Sequence, residues 1–380
     1  MISIGSISTY WILKILLVII LSYCGYGIAY KQPKNFYVYA IIAALFYSLI
    51  EGLRWDRGMD YMHYYNDLLG RWETPNPEFL YKTIVYLLSG FMGLPYWCGF
   101  VTYSLLLISA FLMVLKVYPK AAFWGLPLFF LVTESSAENI IRQYLAISFM
   151  LFAYYAYLKQ KKILTAVLLC CVPLIHMSGL IAVVVFVLLA LLKVPLKKPW
   201  ILLVIYLALF FLWDISYFKG ITGYLSTINL GDNMKVQVYL DNSDRWFSNE
   251  GSISLVKYGK KYVDSASLTS ILFTVLSQII IIYYGFKAQL MDRKLQIAFY
   301  FTYIAILFNV IGGDIEMYSR FYDWYIYLMP FILGIAMYKV RMNQYEKYVV
   351  IVILLVHFFY GFLRSIGDIP YHGFAFIWDR

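Results

Sequence analysis

The stretch Leu53–Asp67 reads Leu-Arg-Trp-Asp-Arg-Gly-Met-Asp-Tyr-Met-His-Tyr-Tyr-Asn-Asp and lies between long apolar runs. It holds Arg54, Arg57, three aspartates, a histidine and three tyrosines. Charge of both signs at this density is costly in or beside a bilayer, which marks the stretch as a functional candidate. Arg54, Arg57 and Asp60 recur at intervals of three, so they share one face if Arg54–Asp67 is helical. The competing reading is a self-neutralising surface helix.

Three further polar insertions carry groups of the same kind. Glu134-Ser-Ser-Ala-Glu138-Asn139 leads into Arg142-Gln143, and Pro173 precedes His176-Met-Ser178-Gly179. The third is Gly312-Gly-Asp314-Ile-Glu316-Met-Tyr318-Ser-Arg320-Phe-Tyr322-Asp323-Trp324, in which Arg320 has Tyr318 and Tyr322 close by. Guanidinium binds phosphate oxygens through two N–H donors at once and keeps its charge, so several arginines around one cavity suit a diphosphate. Aromatic faces beside them suit sugar rings, although most of the 38 tyrosines and 10 tryptophans belong to packing and interface belts. Glycosyl transfer from a polyprenyl diphosphate needs charge stabilisation on the leaving group, which Arg supplies, and a base for the acceptor hydroxyl. His176, Asp60 and Glu78 are the candidate bases. For Arg142 the structural alternative is an ion pair with Glu134 or Glu138; for His176 it is a hydrogen bond to a carbonyl freed by Pro173. Glu134 and Glu138, four apart, could also hold a cation. No Asp-x-Asp pair on an outer loop, no phosphate-cradling Gly-Lys loop and no zinc spacing is present. No cofactor is expected, and no metal.

The elements that position these groups follow from composition. Of 380 residues, 62% are hydrophobic and 14% charged, where a soluble domain carries about 25% charged residues. The mean hydropathy is +0.71. Long apolar runs recur end to end, which predicts an all-α polytopic integral membrane protein, because a helix satisfies its own backbone in lipid. The spans are expected at 8–30, 36–50, 95–115, 121–133, 140–158, 163–175, 177–192, 199–215, 268–286, 295–312, 323–338 and 348–363, about twelve transmembrane helices. The runs 121–133 and 163–175 are short or re-entrant, about 20 Å at 1.5 Å per residue against a hydrocarbon core about 30 Å thick. Polar backbone after their outer ends then faces an outward-facing polar cavity.

Alternate connections hold 16 Lys and Arg against two acids, Asp292 and Glu346, which predicts six cytoplasmic loops. The mixed-charge segments face outward: 51–94, with its polar motif and an amphipathic helix at Phe79–Pro95, and the large loop 216–267. The whole chain reads as a single polytopic membrane domain. The net charge of +10 is scattered between spans, not gathered on a face, so nucleic-acid binding is excluded. Cys24, Cys98, Cys170 and Cys171 all fall in apolar segments and read as buried hydrophobes. The first apolar run, Tyr10–Ala29, reads as a retained span.

In order along the chain, Leu53-Arg54, Gly58-Met-Asp60-Tyr61 with Tyr64, Pro77-Glu78-Phe79, Arg142-Gln143-x-x-Ala146 and His176-x-Ser178 resemble the EpsG family, Wzy-like bacterial polysaccharide polymerases. Met59 stands where a small Ser or Thr is expected between Gly and Asp. The resemblance implies that undecaprenyl-diphosphate-linked oligosaccharide repeat units are joined on the outer face of the bacterial cytoplasmic membrane. Carried over, Arg54, Asp60, Arg142 and His176 become the first-choice site residues, and Arg320 joins them; Arg57, Gln143, Tyr61, Tyr64 and Tyr318 are read from the polar stretches themselves as further substrate contacts. The implied partners are that lipid-linked oligosaccharide, the bilayer, a chain-length regulator and a flippase. The rival readings are an O-antigen ligase, a flippase or transporter of the same lipid-linked sugars, and a membrane acyltransferase.

Overall fold

A computed structural model describes residues 4–31, 35–58, 60–72, 77–192, 194, 198–213, 268–312, 316–367 and 375–379. The expected outer loop 216–267 and Met59 lie outside the described residues, as does the side chain of Tyr318. Each of the twelve expected segments is helical, one of them in two pieces.

In chain order the helices are α1 (Ile4–Tyr30), α2 (Phe36–Gly52), α3 (Tyr61–Leu68), α4 (Phe79–Val85), α5 (Tyr96–Leu115), α6 (Ala122–Asn139), α7 (Ile141–Leu158) and α8 (Lys162–Ile175). They continue with α9 (Gly179–Leu191), α10 (Pro199–Leu212), α11 (Leu268–Met291), α12 (Gln296–Gly312), α13 (Glu316–Ile326), α14 (Met329–Lys339) and α15 (Gln344–Gly367). Among the described residues, five helices are long and apolar enough to cross a membrane. With helix as the regular secondary structure of the described residues, they fit an all-α integral membrane protein.

α1 packs on α6 and α2, α2 on α5, and α5 on α7, which also packs on α8. α12 pairs with α13, and α14 lies between α6 and α11. The core is rich in rings: Phe111 stacks on Phe129 at 4.0 Å, and Tyr61 on Phe100 at 4.6 Å. Apolar side chains such as Ile163, Leu191, Phe211 and Tyr345 are left exposed on the outer surface of the bundle, where a lipid solvent would meet them.

Two local expectations are corrected. The helix expected to stop at Thr133 runs on to Asn139, so Glu134–Asn139 is regular helix and not irregular backbone. It can continue because Glu134 and Glu138 find cationic partners inside the protein. The chain then turns at a single non-helical residue, Ile140 (φ −95°, ψ 57°), and α7 begins. The described residues of Arg54–Asp60 are not helical either: Asp56 (φ 47°) and Gly58 (φ 92°) have left-handed backbone, and α3 starts only at Tyr61. α8 is short, as expected, at 14 residues. α4 runs on as a π-helix over Tyr86–Phe91, with Phe79, Tyr86 and Phe91 exposed.

Candidate functional site

The candidate residues fall into two clusters, one inside the protein and one at its edge. The inner cluster is built around Lys14, halfway along α1. Its Nζ lies 2.7 Å from Glu51 at the end of α2, 2.9 Å from Glu134 and 2.7 Å from Glu138 of α6. Tyr10, one turn before Lys14, donates its hydroxyl to Glu134 at 3.2 Å. Arg57 Nη1 meets Glu138 at 2.7 Å, and its guanidinium lies between the rings of Tyr10 (4.2 Å) and Phe376 (5.0 Å). Arg54 donates to the carbonyl oxygens of Glu51 and Glu138 and packs over Phe100 at 5.6 Å. Both arginines are buried. The space beside Arg54, bounded by Glu51, Tyr103, Ser104 and Tyr144, is about 20 Å³, room for one water and none for a sugar.

This cluster fixes the 53–60 loop onto the end of α6. Gly58 is needed there for its φ of 92° and because a Cβ would come within 2.7 Å of the Glu138 carbonyl oxygen. The Asp60 backbone N–H donates to Asn139 Oδ1 at 3.3 Å. Tyr61 donates its hydroxyl to the Arg54 carbonyl at 3.0 Å. Above the loop, Arg54 and Phe376 form a two-residue antiparallel bridge, with Trp55 N–H to the Ala375 carbonyl at 2.9 Å and Ile377 N–H to the Leu53 carbonyl at 3.0 Å.

The edge cluster gathers Glu78, Arg142, His176, Ser178 and Trp324. Arg142, in the first turn of α7, places Nη1 2.9 Å from Glu78 Oε2. The other oxygen of Glu78 accepts the Met177 N–H at 3.2 Å. The ion pair is partly open, with side-chain exposures of 16% for Arg142 and 14% for Glu78. His176 follows the last turn of α8 in extended backbone. Its Nδ1 lies 2.9 Å from Ser178 Oγ, which also accepts the Trp324 Nε1–H at 3.1 Å. The two rings meet edge to face at 5.7 Å. Gly179 makes this approach possible, since a Cβ there would fall 2.6 Å from the Trp324 ring.

Aromatic side chains back the arginine. Its guanidinium lies 5.5 Å over the Tyr81 ring, and Tyr81 donates to Asp67 Oδ2 at 3.0 Å. Tyr64 packs edge to face on Tyr81 at 6.4 Å. Burial pushes the Tyr64 phenol up to about 12 and Asp60 adds to that, against the opposing pull of Arg142 and Arg320. Tyr64 therefore stays protonated near neutral pH and shares its surroundings with Asp60, Arg142 and Arg320. Gln143 donates to the Arg320 backbone carbonyl at 2.8 Å, tying α7 to α13. The neighbouring Tyr144 donates to Asp323 at 3.0 Å.

The structure thus brings Glu78, Arg142, His176, Gln143, Tyr64, Arg320 and Asp60 into one neighbourhood. It places Arg54, Arg57 and Tyr61 in the inner cluster, all three buried. The structural partner expected for Arg142, Glu134 or Glu138, is instead held by Lys14. Sequence reasoning did not assign roles to Lys14, Glu51, Asn139, Ser178, Trp324 or Phe376. For Lys14 and Glu51 the signal was an ionisable residue within an apolar run, which implies a buried partner; Phe376 had none.

No curated protein and no solved structure matches the chain. The model of the EpsG family matches residues 37–375, nearly the whole length, and the chain belongs to the EpsG family.

Proposed function

We propose that this protein is a glycosyltransferase that polymerises a surface polysaccharide. It joins undecaprenyl-diphosphate-linked repeat units on the outer face of the bacterial cytoplasmic membrane. Its family is associated with polysaccharide polymerisation. The observation that carries the reading to residues is the half-open assembly in which Arg142, paired to Glu78, stands beside the His176–Ser178–Trp324 group.

In this mechanism Arg142 and Arg320 stabilise the negative charge that grows on the departing diphosphate. Both sit where they can exchange a protein partner for phosphate, since Arg142 is partly exposed and Arg320 half-buried. His176 or Asp60 takes the proton of the acceptor hydroxyl as the glycosidic bond forms. Tyr64 donates to a sugar or phosphate oxygen. Glu78, engaged on both oxygens, holds Arg142 and the 176–178 turn in place. Arg54, Arg57 and Tyr61 hold the loop that carries Asp60.

The test is the lipid-linked glycan of cells that lack the gene. A single undecaprenyl-linked repeat unit accumulating on the outer leaflet supports polymerisation. Accumulation on the inner leaflet makes the protein a flippase, and full-length polymer stranded on its lipid carrier makes it a ligase. Complementation with Arg142→Ala is expected to restore membrane insertion and not elongation. Normal long-chain polymer from that variant would falsify the site.

A further inference from the structure

Lys14 lies outside the 37–375 stretch that the family model covers, and it touches neither Arg142 nor His176. Yet three helices, α1, α2 and α6, meet at it. Three carboxylates, Glu51, Glu134 and Glu138, surround one ammonium at 2.7–2.9 Å, and all four side chains are buried. With Arg54 and Arg57 the cluster has three cations and three anions. One of its members, Glu138, is the branch point. Its carboxylate takes both Lys14 and Arg57, and its carbonyl takes Arg54. The next residue, Asn139, holds the Asp60 amide; Ile140 is the pivot; Arg142 follows in the first turn of α7.

We propose that Lys14 is a positioning residue for the site, an internal cation that sets the end of α6 and, through the Ile140 pivot, the placement of Asp60 and Arg142. The inference rests on the polymerase reading for its assay. The physics is that of a buried network. Removing one partner leaves an uncompensated charge, whereas removing a matched pair is often tolerated. Without Lys14, three carboxylates face two arginines, and α6 must shift or admit water. Taking Glu134 away as well restores the balance and leaves the Arg57–Glu138 contact intact. Taking Glu138 away instead restores the net charge but strips Arg57 of its partner.

The experiment compares elongation of a lipid-linked repeat unit by full-length protein carrying Lys14→Met, Glu134→Gln, Lys14→Met with Glu134→Gln, and Lys14→Met with Glu138→Gln. Membrane level and melting temperature are measured for each. Lys14→Met is expected to lower kcat by about tenfold to a hundredfold, the effect of a misplaced site residue, with KM changed less. Glu134→Gln as second substitution is expected to return kcat to within about threefold of Glu134→Gln alone, and Glu138→Gln to return nothing. The same pattern in membrane level, where Lys14→Met fails to insert and the Glu134 double variant inserts and elongates, supports the proposal equally. Wild-type kcat from Lys14→Met overturns it, as does equal rescue by the two glutamines or no rescue by Glu134→Gln in a protein that inserts normally. If wild-type protein itself elongates nothing while the glycan of deleted cells is full length, it is the polymerase reading that fails.

Discussion

At the residue scale the arrangement sets Glu78 apart from the other two candidate bases, His176 and Asp60. Glu78 has one oxygen on Arg142 and the other on the Met177 amide, so both oxygens are engaged by the protein. His176 has Nδ1 turned to Ser178, and the imidazole is half-buried. A general base contributes about 10²–10⁴-fold, and a bracket that still hydrogen-bonds after substitution contributes far less. Glu78→Gln is therefore expected to keep about a tenth or more of the elongation rate, because the amide can still accept from Met177. A thousandfold loss makes Glu78 the base. His176→Ala and Asp60→Asn, assayed beside it, identify the group that takes the proton, and one of the two is expected to fall by about a hundredfold or more. Arg142 was legible as a functional candidate because an arginine so near an apolar run needs a partner. That Glu78 is this partner, 64 positions away, was not legible, since no local pattern links them.

At the element scale the 53–60 loop is held from below by the Lys14 cluster and from above by the segment 375–379. Phe376 is fully buried, caps the guanidinium of Arg57 and stacks on Trp378 at 4.7 Å. Its replacement by Ala deletes a core ring, a change that typically costs about 3–5 kcal/mol. Phe376→Ala is expected to lower the melting temperature in detergent and to expose the loop to protease. A melting temperature equal to wild type means that the 375–379 segment does not hold the loop. Gly58→Ala tests the same loop from inside. Left-handed backbone and the Glu138 carbonyl both oppose a Cβ there, and strained backbone of this kind costs on the order of 1–3 kcal/mol. An equal melting temperature in this variant means that the close approach to Glu138 is dispensable.

At the scale of the whole molecule, the proposed topology puts Glu78, Arg142 and His176 on the outer side and Lys120, Lys161 and Lys294 inside. Lys294 donates to the Leu158 carbonyl and Tyr118 to Asp292, so several of the connections assigned to the cytoplasm are joined to one another. Single cysteines at Trp72 and at Lys161, in a protein freed of its four native cysteines, distinguish the two sides. A membrane-impermeant thiol reagent is expected to label position 72 in intact cells and position 161 only after permeabilisation. The reverse pattern turns the site inward and ends the outer-leaflet reading. Lys14, a cation inside the first apolar run, is paired within the protein to three carboxylates.

The sequence by itself determined the helical class, the position of each apolar segment and the identity of most groups that gather at the edge site. These are local properties: a run of apolar residues commits its own backbone to a helix in lipid, and an isolated charge announces that a partner exists. The tertiary structure decided which partner. Arg54 and Arg57, expected among the site residues that meet the substrate, face inward because Glu138 reaches them from α6 and Phe376 closes over them. α6 runs past Thr133 because Lys14 from α1 neutralises its carboxylates. Ser178 and Trp324, 146 positions apart, meet at His176 because Gly179 lets the indole in. Each of these depends on the free energy of pairing a buried charge or donor, and that energy belongs to residues brought together only when the helices pack.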